Sequence, residues 1–269
     1  MSTPEAITGH YIDVEGTRTF YDEIGDGKPL VCVHTAGASS LEYHLALPLY
    51  AAQGFHVFAL DLPGHSRSYP VNWTQHRSIH QHAEFVHEFV LALGLEAPVI
   101  TGCSIGGDIT FDYAANHWRD MAAGIPMEGL GRSPTFPCPD SMVHPAWAPG
   151  WQDMIERAAV ESLGRNVSEE KQNELRWQHK NAQVSAVGDL EAWSQHDVLA
   201  YLDKVERPML VIRGDDDFWV PKELVEESVN RLPNGEAIHL PNVGHYPMFE
   251  DPQLIADITG DFCRRHGVL

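Results

Sequence analysis

The sequence predicts an α/β fold: a mostly parallel sheet with helices on both faces. Three observations carry that reading. Short apolar runs bounded by glycine or proline alternate with longer helical patterns over most of the 269 residues, as βαβ units require. The run Gly102-Cys103-Ser104-Ile105-Gly106 sits between one such strand and one such helix. Acidic and histidine-bearing loops follow the last two apolar runs, at the strand ends where open α/β sheets bind ligands.

Taken in order, 10–14 and 19–24 flank Glu15-Gly16 and read as an opening hairpin. Strands are predicted at 30–34 and 55–61, with a helix over 41–53 between them. A helix over 79–93 stops at Gly94, a common C-terminal signal. Strands follow at 99–103 and 121–127, separated by a helix over 105–117. Between Glu128 and about His196 the strand signal disappears. A Pro-, Trp- and Met-rich stretch from Arg132 to Trp151 gives way to helical patterns at 151–164, 168–186 and 190–194. The alternation resumes with a strand at 208–214, a helix over 222–231 and a strand at 236–241. The expected organisation is one core in two parts, 1–128 and 197–269, interrupted by a helical segment, 129–196.

The chemistry is concentrated at three strand ends. A G-x-S-x-G run occurs by chance in many glycine-rich turns, so its context matters more than its spelling. After a strand and before a helix, the serine must take a strained backbone, and the flanking glycines let strand and helix approach it. Ser104 is then a candidate nucleophile, with free N–H groups of the helix start beside it. Asp217 follows the strand at 208–214, and His245 follows the strand at 236–241. The chain order is serine, acid, histidine. In such a set the histidine takes the serine proton, and the acid fixes its tautomer and stabilises its cation.

These residues, with their surroundings, resemble the α/β-hydrolase superfamily over nearly the whole chain. Val31-Cys32-Val33-His34-Thr35-Ala36-Gly37 is similar to the His-Gly loop after the third strand. Asp61-Leu62-Pro63-Gly64-His65-Ser66-Arg67-Ser68 is similar to the turn D-x-P-G-x-G-x-S. Gly214 to Asp217 with Pro221 resembles the acid loop, and Gly244-His245 with Glu250 and Pro252 the histidine loop. The resemblance implies an α/β-hydrolase fold with a helical lid inserted after strand six. It also implies backbone N–H groups of Ala36 and Ile105 as the oxyanion hole. Two departures stand out: Thr35 replaces the usual glycine, and Ser66 replaces the second glycine of the turn. Thr35 could narrow the acyl side or donate its own hydroxyl to the oxyanion. The expected activity is a carboxylesterase-like serine hydrolysis without metal or organic cofactor. Lactonase, thioesterase, C–C bond hydrolase and perhydrolase chemistry share the same residues, and a non-catalytic ligand receptor on the same fold is the alternative of another class.

Candidate pocket residues are Thr35, Phe136, Met142, Trp147, Trp151, Trp193 and Trp219, whose apolar character suits an uncharged or amphiphilic small molecule. The net charge of −20, from 18 basic and 38 acidic residues, argues against nucleic acid or an anionic membrane as partner. No apolar run is long enough to span a bilayer. Cysteines 32, 103, 138 and 263 lack metal-like spacing and read as small buried hydrophobes of a reducing, cytoplasmic compartment. The histidines at 76, 80, 82 and 87 are expected on a solvated helix face, without a metal. Glu128 is set aside as the acid in favour of Asp217. Asp215 and Asp216 are expected to form the turn, and Asp61 to tie its own.

Overall fold

The computed structural model describes residues 6–134, 150–180 and 185–269, with the backbone alone at Trp151. Eight strands form one sheet: β1 (Thr8–Val14), β2 (Thr17–Ile24), β3 (Lys28–Val33), β4 (Phe55–Leu60), β5 (Val99–Cys103), β6 (Ala123–Met127), β7 (Met209–Gly214) and β8 (Gly235–Leu240). Their order is β1-β2-β4-β3-β5-β6-β7-β8. The β1–β2 hairpin and the β2–β4 pair are antiparallel, and every later pair is parallel.

The central strands are buried on both faces, and their side chains alternate between two cores. Val31 and Val33 of β3, with Phe58 and Leu60 of β4, join one cluster with Phe85 and Phe89 of α2 (Ile79–Ala92) and Ile109 of α3 (Ile105–His117). Their neighbours Leu30, Cys32, Val57 and Ala59 join the other, with Tyr50 of α1 (Leu47–Ala52) and Phe262 near the C-terminus. This is the two-residue period of a strand read against two layers of helix.

Between β6 and β7 the described residues hold three α-helices, a 3₁₀ helix (Leu199–Lys204) and no strand; the α-helices are α4 (Trp151–Glu161), α5 (Glu169–Lys180) and α6 (Ser185–Ser194). The chain then continues through α7 (Lys222–Val229), α8 (Pro247–Glu250) and α9 (Pro252–Arg265).

Two expectations are corrected. The helix expected over 41–53 is divided into a 3₁₀ turn, Ser40–Tyr43, and α1. Pro48 lies in the first turn of α1, the one place where a helix tolerates its missing N–H. The C-terminal helix α9 was not anticipated, although its start is written plainly: Asp251 accepts the Leu254 N–H at 3.1 Å and Pro252 opens the first turn.

Candidate active site

Ser104 stands between β5 and α3 with φ 58° and ψ −120°, a conformation that costs a non-glycine residue free energy and persists only under packing constraint. The glycines on either side explain how it is held. A Cβ at Gly102 would lie 2.2 Å from the Gly106 carbonyl oxygen, and one at Gly106 would lie 2.3 Å from that of Val33. Helix and strand therefore touch backbone to backbone, with the serine at the apex. Ile105 opens α3, where the first N–H groups have no intrahelical acceptor.

On the acid side, His245 Nδ1 lies 2.7 Å from Asp217 Oδ2, and both side chains are buried. The other Asp217 oxygen accepts the Trp219 N–H at 2.6 Å. Burial opposes the charge on Asp217, but His245 and the hydrogen bonds outweigh it and bring its carboxyl down to about 2. Burial likewise disfavours the His245 cation. The Asp217 carboxylate overcomes this and raises the histidine above its ordinary value. Tautomer and orientation are thereby fixed, with Nδ1 spoken for and Nε2 without a hydrogen-bond partner among the described residues.

Glu128 was set aside as the acid, yet it adjoins this pair. Its carboxyl is buried, accepts the Gly214 N–H through one oxygen and comes within 4.8 Å of the Asp217 carboxylate. Burial, then the neighbouring Asp217 charge, push it well above the carboxylate range. Arg213, also missed in the sequence, holds the acid loop by donating to the backbone oxygens of Val220 at 2.8 Å and Asp217 at 3.0 Å.

Asp215 and Asp216 form the turn as expected, but their carboxylates do not cap its N–H groups. Asp215 accepts from Arg213 at 3.2 Å. Asp216 takes the backbone N–H of Arg165, between α4 and α5, at 3.0 Å and its guanidinium. Asp61 does tie its turn, accepting from Ser40 N at 2.8 Å and Arg67 N at 3.1 Å.

The histidine loop is held from four directions. Glu250 accepts the N–H groups of Gly244 at 2.8 Å, Tyr246 at 3.1 Å and Gly164 at 3.0 Å. The His245 N–H donates to Ser162 O at 2.8 Å. The Cys103 thiol, expected only to fill space, donates to His245 O at 3.1 Å. Lys171 adds bonds to the carbonyls of Phe249 and Glu250.

Ser104 and His245 line one cavity, together with Thr35, Ala36 and Ile105. Trp193 and Trp219 line it as expected, and Ile155, Ala158 and Leu190 add apolar wall. Phe136, Met142, Trp147 and the Trp151 side chain lie outside the described residues, as does Cys138. His179 and Tyr246, which carried no sequence signal, also face this cavity, their side chains 3.4 Å apart.

Thr35 is corrected in one respect. Its hydroxyl donates to Glu42 Oε1 at 2.6 Å and its N–H to Oε2 at 3.0 Å. A hydroxyl has one proton, so it is not aimed at an oxyanion while Glu42 is ionised. Burial raises Glu42 to about 7, against the lowering effect of those same two bonds. The Ala36 N–H has no acceptor among the described residues.

The expected solvated histidine face is also corrected. His82 is 1% exposed and lies 3.2 Å from Asp189 of α6, while His80 and His87 stay partly in solvent. Among the described residues, two groups bring ligand-type atoms within 4.8 Å of one another: Glu128, Asp217 and His245, and His87, His117 and Asp120. In the first, the 2.7 Å separation is that of a hydrogen bond, shorter than neighbouring ligands of one ion keep at bond lengths of about 2.0–2.2 Å. No described helix is long and apolar enough to cross a membrane.

A model of the alpha/beta hydrolase family matches residues 30–258. The chain belongs to that family. The bifunctional esterase/perhydrolase DCH of Acinetobacter calcoaceticus is 27% identical, over 88% of this chain and 92% of that protein. The 2-hydroxy-6-oxo-6-(2'-aminophenyl)hexa-2,4-dienoic acid hydrolase of Metapseudomonas resinovorans is 25% identical, over 97% and 92%. The enol-lactonase of Burkholderia xenovorans LB400 superposes with a TM-score of 0.84 at 17% identity, over 95% of this chain and all of that one, a likeness of fold. The relatives are hydrolases of several bond types.

Proposed function

We propose that this family member is a serine hydrolase of small carboxylic esters, with Ser104 as nucleophile, His245 as general base and Asp217 as its orienting acid. The observation that carries the reading is the buried His245–Asp217 pair, in which His245 Nε2 has no hydrogen-bond partner among the described residues, on the cavity that also receives the strained Ser104. Ser104 Oγ attacks the ester carbonyl and its proton passes to His245 Nε2. The N–H groups of Ala36 and Ile105 hold the oxyanion, each such donor being worth about 10²–10³ in rate. The tetrahedral adduct collapses, and His245 returns the proton to the departing alcohol. Water then attacks the acyl-enzyme with the same base, releasing the acid and restoring Ser104.

Within the segment 129–196, between the core parts 1–128 and 197–269, the described helices serve as a lid over the cavity. Its apolar wall suits an uncharged or amphiphilic substrate. The buried free thiols of Cys32, Cys103 and Cys263 suit a reducing, cytoplasmic compartment. No step of this chemistry calls for a metal, so chelation by EDTA leaves turnover unchanged. Lactone, thioester or C–C cleavage would use the same residues, as the mixed chemistry of the relatives illustrates.

A fluorophosphonate probe with a short p-nitrophenyl ester tests the reading. The expected result is labelling at Ser104, with turnover and labelling both lost in Ser104→Ala. Ligand binding without labelling or turnover would instead identify a receptor.

A further inference from the structure

The loop that carries the Ala36 N–H is fixed peptide by peptide. The Thr35 N–H is taken by Glu42 at 3.0 Å. The Thr35 carbonyl accepts from His34 Nδ1 at 2.7 Å and from the Ala38 N–H at 3.3 Å. Since C=O and N–H point oppositely across a trans peptide, those two bonds turn the Ala36 N–H the other way. The Gly37 N–H donates to Asp189 Oδ2 at 3.0 Å, and Gly37 has φ +68°, a turn that glycine allows at low cost. Glu42 and His34 are near in sequence. Asp189 is 152 residues away, on α6.

Asp189 is 0% exposed and needs a counter-charge. His65 supplies it. Its Nε2 lies 2.7 Å from the same Asp189 Oδ2 and its Nδ1 lies 3.1 Å from Pro63 O. A carboxylate and a carbonyl can only accept, so both ring nitrogens carry protons and His65 is an imidazolium. Burial opposes that charge, but Asp189 overcomes it and raises His65 above its ordinary value. The groups facing His65 from the surrounding elements agree. His34, at the end of β3, is held neutral by burial, at about 3, and so is His76, before α2. Asp61, at the end of β4, favours the cation. His82 of α2 approaches the second Asp189 oxygen at 3.2 Å. Helix α6, which carries Asp189, is fastened elsewhere by Ser185 Oγ, which donates to Gly64 O at 2.8 Å.

We propose that Asp189 is a positioning residue for the oxyanion hole: its carboxylate holds the Gly37 N–H and the His65 imidazolium together, so that α6 is a fixed support of the Ala36 donor rather than a moving cover. The inference rests on the hydrolase reading for its catalytic consequence, whereas the tether itself can be observed without turnover. Removing Asp189 lets the loop relax, and the cost falls on the transition state, where the oxyanion forms, rather than on ester binding.

The test compares Asp189→Ala, which removes the acceptor of the Gly37 N–H, with Ser185→Ala, which loosens α6 without touching the loop. Expected for Asp189→Ala is a loss of about 10–100-fold in kcat on p-nitrophenyl acetate, KM within about twofold, and a matching loss of affinity for butylboronic acid, whose tetrahedral adduct carries the oxyanion. Ser185→Ala should keep kcat and boronate affinity. A folded Asp189→Ala with wild-type kcat and boronate affinity would overturn the proposal. So would equal losses in Ser185→Ala, which mark a general loosening. In the wild-type protein the Gly37 amide should exchange with solvent far more slowly than an open loop amide at pH 7. Free exchange there would overturn the tether even if the variant failed to fold, and wild-type protein with no turnover or labelling would sink the hydrolase reading alone.

Discussion

His245–Asp217 and His65–Asp189 are matched in length, 2.7 Å each, and all four side chains are buried. Both histidines are raised above their ordinary value by an adjacent carboxylate that outweighs burial. They differ at the second ring nitrogen. His65 Nδ1 meets a backbone carbonyl, so both protons are committed and the ring has no capacity to accept another. His245 Nε2 meets no partner among the described residues and sits on the cavity that receives Ser104. A histidine–carboxylate pair becomes a base only when one nitrogen is left open; with both engaged it is a buried ion pair that holds two segments together.

Removing the open nitrogen gives the largest contrast. His245→Gln and Ser104→Ala should each lower kcat by about 10⁴-fold or more, with little change in Tm. Asp217→Asn should follow at about 10⁴-fold through the wrong tautomer, whereas Asp215→Asn and Asp216→Asn should stay much closer to wild type in the same ester assay. Equal losses at all three aspartates would mean that loop shape, not the orienting bond, carries the effect.

His65→Gln should act in the opposite sense, chiefly on stability. It strands the buried Asp189 charge, and breaking such a pair costs about 3–5 kcal/mol in denaturant unfolding. Its pH dependence sharpens the comparison. His65 is raised in the folded state, so its contribution is complete below about pH 6.5 and is lost as pH rises through the folded value. The stability gap between wild type and His65→Gln should therefore narrow at alkaline pH; a gap that widens there would mean that His65 is neutral.

Much of the site was legible because its chemistry is written in short local runs. Ser104 between Gly102 and Gly106, Asp217 after β7 and His245 after β8 could all be placed from motif and strand end. What could not be read was long-range and buried. Asp189 lies in a helix of unremarkable pattern, and its partners Gly37, His65 and His82 come from three other segments. The same spacing of histidines that suggests a wet helix face hides His82 in the core, because periodicity says which residues share a face and not what covers it. Glu128 was undervalued for a related reason: sequence weighs it as a rival to Asp217, while only the folded chain brings the two carboxyls side by side. The polar fastening of Thr35 to Glu42 likewise depends on a fold-back at the end of β3 that no motif encodes.

Smaller effects probe the open-nitrogen pair further. The ascending limb of kcat/KM should have its midpoint above about 6.5, since the base must be neutral and the folded His245 is raised. A midpoint clearly below that value would mean that burial outweighs Asp217. Glu128→Gln should be the mildest change, within about threefold in kcat, because the amide oxygen can still accept the Gly214 N–H and, with the carboxyl raised by burial, little charge is lost beside Asp217. A loss of the size expected for Asp217→Asn would mean that Glu128 is ionised and has a direct part in the chemistry.

The central claim is that an acyl group is carried on Ser104 while His245 moves the proton. Acid-quenching the enzyme during turnover of p-nitrophenyl acetate, followed by peptide mass mapping, reads it directly. The expected result is an acetyl adduct on Ser104, absent in Ser104→Ala. Turnover with Ser104 unmodified at every time sampled, or with the adduct on Cys103 or another residue, would contradict it.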